Sequence, residues 1–539
     1  MQINISRRQM LSQTVLGFGL LLLARGSLFA QSARRILSSV LAHDTQRPQF
    51  HFMPPSDWMN DPNGPIYFKG NYHMFYQYNP NMLQGWGPFA WGHAISTDMV
   101  HWKHLPVAIM PTKNGPDALG CWTGTAIVKD GSVYIVYTGI SETDVGKGTV
   151  TIAIGDRPKV YCKESQCVAV SSDDLLLNWS KSAEALIDTT PDTAKRSGFR
   201  DPSWWKQGDV WYMTLGSGLS APSKLAQLLL YRSSDFKRWE FVKVLTDSAQ
   251  TLDLPSIAGY PEDNMWECPE FFPLGTKHVL ICSTGGKNHW TSGIFNSVTL
   301  TFTPEKKGVI DYGCYYAAKT QLDSFGNRII WGWIQERRPP EMYNDAGWAG
   351  VMSLPRILEL NNQGELITRV SPEVNKLRKN YVSLDINQNE EKRSHQISSL
   401  LVKNCSAEIK CFIKKTNEAF SFSIRSSVLG SDYKGHSKKI GSELWITFTY
   451  DPVYPDKIKI NDKMLSLGEG IHDHLEFSVY VDGSVIEAFV NECVAFTKRV
   501  YFDAAKTPYT GIHYTGKTMN IIALDMWELD AITQNRLTD

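Results

Sequence analysis

Residues 65–78 read Pro65-Ile66-Tyr67-Phe68, then Lys69-Gly70-Asn71, then Tyr72-His73-Met74-Phe75-Tyr76-Gln77-Tyr78. Two aromatic-rich runs flank a polar turn that contains glycine, the pattern of a β-hairpin. Four further copies follow. Thr125–Val128 turns at Lys129-Asp130-Gly131 into Val133–Tyr137, and Pro202–Trp205 turns through Lys206–Asp209 into Val210–Leu215. Pro269–Phe272 turns at Leu274-Gly275-Thr276 into His278–Cys282, and Tyr312–Lys319 reaches Arg328–Trp333 through Gly326-Asn327. Five hairpins spaced by roughly 40–80 residues predict radial repetition, a five-bladed β-propeller. A second repeat agrees with it: Asp98 precedes Trp102, Asp173 precedes Trp179 and Asp235 precedes Trp239, each as an Asp-capped turn leading into an outer strand.

Outward from these hairpins the texture changes near residue 370. Tryptophan becomes sparse, and Phe420–Ile424, Leu444–Tyr450, Lys457–Ile460 and Leu475–Phe489 alternate as strands, with Asp482-Gly483 as a hairpin turn. This predicts a C-terminal antiparallel β-sandwich, with a hinge between Asn361 and Pro372. The expected domains are an export signal at 1–31, a propeller at 45–365 and a sandwich at 370–539. The fold class is all-β.

The chain has 539 residues, with 55 Lys+Arg against 55 Asp+Glu, and 42% of it is hydrophobic. The balance argues against a nucleic-acid partner, and the apolar content excludes disorder as the main state. Aromatic residues make up 12%, which suits both strand packing and the stacking of rings on sugars. Arg7-Arg8 ahead of an apolar run, Val15–Leu23, resembles a twin-arginine export signal. A secreted or periplasmic protein follows, with no membrane attachment after signal removal. The 9 cysteines lack metal spacing and read as small core residues. His51, His73, His93, His101 and His104 read as packing residues, so no metal is expected.

Acids stand ahead of the hairpins: Asp61-Pro62, Asp201-Pro202, Glu267-Cys268-Pro269 and Asp311. In a propeller, equivalent positions converge on the axis. Asp61, Asp201 and Glu267 are therefore expected at one mouth of the channel. Crowded carboxylates cannot all ionise at their usual pH, so one stays a general acid while another remains a carboxylate. A retaining glycosidase uses such a pair about 5–5.5 Å apart.

Trp58-Met59-Asn60-Asp61-Pro62-Asn63-Gly64, Phe199-Arg200-Asp201-Pro202 and Trp266-Glu267-Cys268-Pro269 resemble the three signatures of glycoside hydrolase family 32. The resemblance extends to Phe75–Pro80, Trp122–Ala126, Asp311–Gly313, Trp331–Trp333, Ser353–Arg356 and Asp482–Phe489. It implies a retaining β-fructofuranosidase that releases terminal β-D-fructofuranosyl residues from sucrose and short fructans, without a cofactor. Asp61 would be the nucleophile, Glu267 the acid/base and Asp201 the residue holding fructose hydroxyls. Gln77, Trp86, Trp122 and Thr123 match positions lining the fructose pocket; Trp58, Trp333 and Trp348 are candidates for an aromatic wall. Asn60 would keep the Asp61 pKa low, Arg200 would hold Asp201 charged, and apolar company would favour protonated Glu267. A fructosyltransferase, an inulin- or levan-specific hydrolase and a non-catalytic sugar-binding propeller are the alternatives. The partner is a small sugar, and a homodimer is open.

Overall fold

The structure, a computed structural model, describes residues 38–538 except 81–82, 84–87, 145–147, 153–159, 192–195, 221–222, 252–253, 256–263, 432–436, 469–472 and 503–507. The expected leader at 1–31 lies outside the described residues. Strands dominate, and no helix among the described residues is long and apolar enough to cross a membrane.

Five sheets follow one another along the chain, antiparallel except where the short strand Trp348–Ala349 joins the first sheet in parallel. The first is built on Asp57–Phe68, Asn71–Asn79, Ala90–Ser96 and Lys103–Ile109. The second begins with Gly120–Lys129 and Ser132–Glu142, the third with Arg196–Gln207 and Val210–Leu219. The fourth begins with Glu267–Leu274 and Lys277–Thr284, the fifth with Tyr315–Leu322 and Arg328–Ile334. All five predicted hairpins are therefore present as the first two strands of a sheet. The first strands touch in cyclic order, one to two through five and back to one, so the sheets close a ring. The Asp-capped turns also form: Asp98 accepts from the Val100 and His101 amides, and Asp235 from those of Lys237 and Arg238. Asn296 makes the same turn in the fourth sheet; with Asn in place of Asp and no Trp after it, the sequence pattern does not reveal it.

Each innermost strand carries a β-bulge at the same height. Two residues oppose one at Asn60-Asp61, Trp122-Thr123, Asp201-Pro202, Cys268-Pro269 and Ala317-Ala318. A bulge bends the strand and re-aims its side chains. Three first bulge residues adopt left-handed backbone, Asp201 (φ 62°), Cys268 (φ 46°) and Ala317 (φ 54°), a conformation that costs an L-residue energy.

Two six-stranded sheets form the C-terminal unit. One contains Ser406–Lys414, His474–Asp482, Val485–Val490 and Val494–Arg499; the other contains Phe420–Ser431 and Ser437–Tyr450. Their inner faces bury Phe422, Phe448, Phe477 and Val479 in a shared core. The first part of the expected hinge, Asn361 to Pro372, is not a link. Asn361–Gly364 is a tight turn joining Arg356–Leu360 to Leu366–Val370, both strands of the fifth sheet. The chain then crosses through a short 3-10 helix, Pro372–Leu377.

The ring and the sandwich are joined by buried charge. Arg356 is fully buried, its guanidinium bonded to Asp311 at 3.0 Å and to Glu487 at 2.8 Å. His51 lies between Asp482 (2.8 Å) and Glu487 (3.0 Å). Asp311 also accepts from the Thr497 amide and hydroxyl. Asp311, the acid ahead of the fifth hairpin, therefore belongs to this seam: it sits at the end of the link before the fifth innermost strand, where sandwich donors reach it.

Candidate active site

The bulges carry the acids. Asp61 is the second bulged residue of its strand, Asp201 the first of its own, and Glu267 the last paired residue before the bulge. The expectation of strict register is thus corrected by one residue at each step. Pro202 and Pro269 are second bulged residues, whereas Pro62 is the first paired residue after its bulge, so the three prolines do not mark a common level. The bulges restore convergence. Asp61, Asp201 and Glu267 all line one cavity of about 320 Å³ at one end of the ring.

The same cavity is lined by Trp58, Asn60, Gln77, Trp122, Thr123 and Arg200, and by Trp333. Trp86 lies outside the described residues. Trp348 does not join the wall. It is completely buried in the seam, where its indole donates to Asp44 at 2.8 Å and Arg338 stacks on its ring.

The hydrogen bonds are specific. Thr123 Oγ1 donates to Asp61 Oδ2 at 2.6 Å, and Asn60 Nδ2 donates to Oδ1 at 3.0 Å. Trp58 Nε1 in turn donates to Asn60 Oδ1 at 3.0 Å, which fixes the amide's orientation. Burial nevertheless dominates: it pushes the Asp61 pKa up, against the Thr123 and Asn60 donors, and the Glu267 charge adds to the rise. The expected low pKa is therefore corrected.

Asp201 is 3% exposed and accepts from the Cys268 amide at 2.8 Å. Burial raises its pKa to about 7, against the charges of Arg200 and Lys319. Arg200 favours ionised Asp201 through its charge, as expected, although burial outweighs it. The Arg200 guanidinium bridges Glu164 at 2.8 Å and Glu267 at 2.9 Å. Glu267 Oε2 accepts from the Tyr316 hydroxyl at 2.6 Å, so its company is polar and not apolar as the neighbouring sequence suggests. Strand alternation turns Trp266 into the core behind the site.

Three participants are not legible as such in the sequence. Tyr316 begins the fifth hairpin but carries no acid. Glu164 lies in the third strand of the second sheet, Val160–Ser171, far from any motif. Cys268 reads as an apolar neighbour of Glu267, yet its thiol lies 3.5 Å from Asp61 Oδ2. The signal for Cys268 and Tyr316 is their place at the bulges, which only strand pairing reveals.

The arrangement offers a desolvated carboxylate with two donors, a second carboxyl bridged by arginine and tyrosine, and a third buried beside both. Such a set suits general acid–base and nucleophilic chemistry on a sugar. Among the described residues no cluster of His, Cys, Asp and Glu could hold a metal ion.

Comparison with known proteins agrees with this chemistry. The N-terminal domain of glycosyl hydrolases family 32 matches residues 51–370, and the C-terminal domain of that family matches residues 373–528. The chain belongs to glycosyl hydrolase family 32 and is a glycoside hydrolase of the invertase type. It is 31% identical to the sucrose-6-phosphate hydrolase of Escherichia coli over 85% of this chain and 90% of that enzyme. It is 36% identical to the acid beta-fructofuranosidase of Vigna radiata over 59% of this chain, which spans about half (48%) of that protein. Among solved structures, the beta-fructofuranosidase of Bombyx mori superposes with a TM-score of 0.68 at 26% identity, covering 93% of this chain and 99% of that one.

Proposed function

We propose that this enzyme releases terminal non-reducing β-D-fructofuranosyl residues from sucrose, and from short fructans, with retention of configuration. The five cyclic sheets read as the blades of a five-bladed propeller with the substrate pocket at one mouth. Asp61 attacks the anomeric carbon while Glu267 delivers a proton to the leaving oxygen. Glu267 then takes a proton from water, which displaces the fructosyl group from Asp61. Asp201 accepts fructose hydroxyls and balances the positive charge that develops on the ring. Arg200 and Tyr316 each hold one oxygen of Glu267, which fixes the carboxyl plane through both proton transfers.

The observation that carries this reading is the convergence of three carboxyl groups from three different sheets on one cavity, with Thr123 and Asn60 donating to Asp61. The relatives named as sucrose-6-phosphate hydrolase and beta-fructofuranosidase support sucrose as the core substrate, and the arginine-paired leader supports action outside the cytoplasm. Asp61→Asn and Glu267→Gln are expected to lower sucrose turnover by at least about a thousandfold with the fold intact. Near wild-type release of reducing sugar by either variant refutes the assignment. A panel of sucrose, inulin and levan on the wild-type protein ranks the substrates.

A further inference from the structure

Lys319 is the first paired residue after the fifth bulge, and it is 1% exposed. An ammonium offers three donors and no acceptor. Its Nζ lies 3.4 Å from the Pro202 carbonyl, 3.4 Å from the Pro269 carbonyl and 3.3 Å from Glu270 Oε1. All three donors are thus directed at acceptors.

The two carbonyls are informative. Pro202 is the second bulged residue of the third sheet and directly follows Asp201; Pro269 is the second bulged residue of the fourth and stands two beyond Glu267. A bulge leaves a residue outside the ladder, so its buried carbonyl needs another donor. One cation on the fifth sheet satisfies both. Its counter-charge Glu270 is 5% exposed, and Glu270 Oε2 accepts from the Thr320 amide at 3.1 Å and from the Thr320 hydroxyl at 2.7 Å. The tether therefore spans the third, fourth and fifth sheets.

Burying an ammonium is costly, and an apolar side chain of similar volume would fill the space more cheaply. The charge also has an audience. Asp201 is faced by Arg200 on its own strand, by Glu267 and Cys268 on the fourth sheet, and by Lys319 on the fifth. Of these, Arg200 and Lys319 favour the ionised carboxylate, and Arg200 is shared with Glu164 and Glu267.

We propose that Lys319 is a positioning residue: it clamps the third and fourth bulges together, sets the separation of Asp201 and Glu267, and supplies a fixed positive charge opposite Asp201. The inference rests on the reading of Asp201 and Glu267 as reacting groups given above.

Three variants test it through steady-state kinetics on sucrose across pH. Lys319→Gln removes the charge but keeps an amide donor. Lys319→Met combined with Glu270→Gln removes the charge without orphaning a buried carboxylate. Both are expected to lower kcat by roughly ten- to a hundredfold with a smaller change in KM. Lys319→Gln is also expected to move the acid limb of the kcat/KM profile up by about one pH unit, and the double variant to move it less, because the Glu270 charge leaves with that of Lys319. Lys319→Arg keeps the cation and is expected to leave the acid limb in place while lowering kcat. An acid limb that stays at its wild-type pH in Lys319→Gln overturns the proposal, as does one displaced equally in Lys319→Arg. Asp201→Asn and Glu267→Gln run in parallel separate the two readings. If they keep turnover, the assignment of the acids fails; if they are inactive while the charge-free variants match wild type, only the role of Lys319 falls.

Discussion

At the scale of the residue, the cavity shows desolvation competing with hydrogen bonding. Asp61 is pushed toward its neutral form by burial, and Thr123 is the first donor that opposes it. A hydrogen bond to a charged group contributes about 1.5–3 kcal/mol. Thr123→Val is therefore expected to lower kcat/KM at acidic pH by about tenfold or more and to move the acid limb upward. The sign follows from the charge: the donor stabilises the carboxylate, so its loss extends protonation to higher pH. A pH–rate profile on sucrose checks this, and an unmoved acid limb contradicts it. The identities of the three acids were legible in the sequence because Asp-Pro and Glu-Cys-Pro recur ahead of hairpins. Their electrostatic setting was not. Neighbours in sequence point to opposite faces of a strand, so Trp266 does not describe the surroundings of Glu267, while Arg200 and Tyr316 reach it from two other strands and Glu164 holds Arg200 from a third.

At the scale of the element, the hairpins were readable and the bulges were not. Aromatic alternation and glycine turns marked all five strand pairs. The bulge pairs have no composition in common, from Asn60-Asp61 to Ala317-Ala318, because a bulge is a property of pairing between two strands. The prolines do not mark strand entrances: Pro62 lies within Asp57–Phe68 and Pro202 within Arg196–Gln207, at or beside the bulges. Close approach between first strands is legible at Gly64, two residues beyond Pro62. Its φ is 43°, and a Cβ there would lie 2.6 Å from the Ala126 amide nitrogen in the next sheet. Gly64→Ala combines a left-handed backbone with a backbone clash, which costs at least about 2 kcal/mol. The urea midpoint is expected to fall accordingly; an unchanged midpoint means that the two sheets pack less closely at this point.

At the scale of the molecule, a seam of buried charge joins the two units. His51, Arg356, Asp311, Glu487 and Asp482 are buried together between them. Burial alone would lower the His51 pKa, but hydrogen bonds to Asp482 and Glu487 override it and raise it to about 9 from the usual 6.5. A group whose pKa is raised on folding contributes stability that is complete below about 6.5 and lost as pH climbs through about 9. Wild-type Tm is expected to decline across that window, and His51→Gln to decline less steeply over the same range. Parallel Tm curves for the two proteins would exclude this role. Only the end of the hinge expected at Asn361 to Pro372 is a crossing: the polar, Asn-rich stretch at its start reads as a linker, whereas here it closes a hairpin of the fifth sheet.

The central claim is that ring closure makes Asp61 the nucleophile of a double displacement. Mass spectrometry of Glu267→Gln, quenched during turnover of a fructofuranoside with a good leaving group, tests it most directly. Without the acid/base, water attack is slowed and the intermediate accumulates. The account predicts one hexosyl unit attached to the peptide that contains Asp61, at that residue. A hexosyl unit on another side chain, or turnover with inverted product and no adduct, would contradict it.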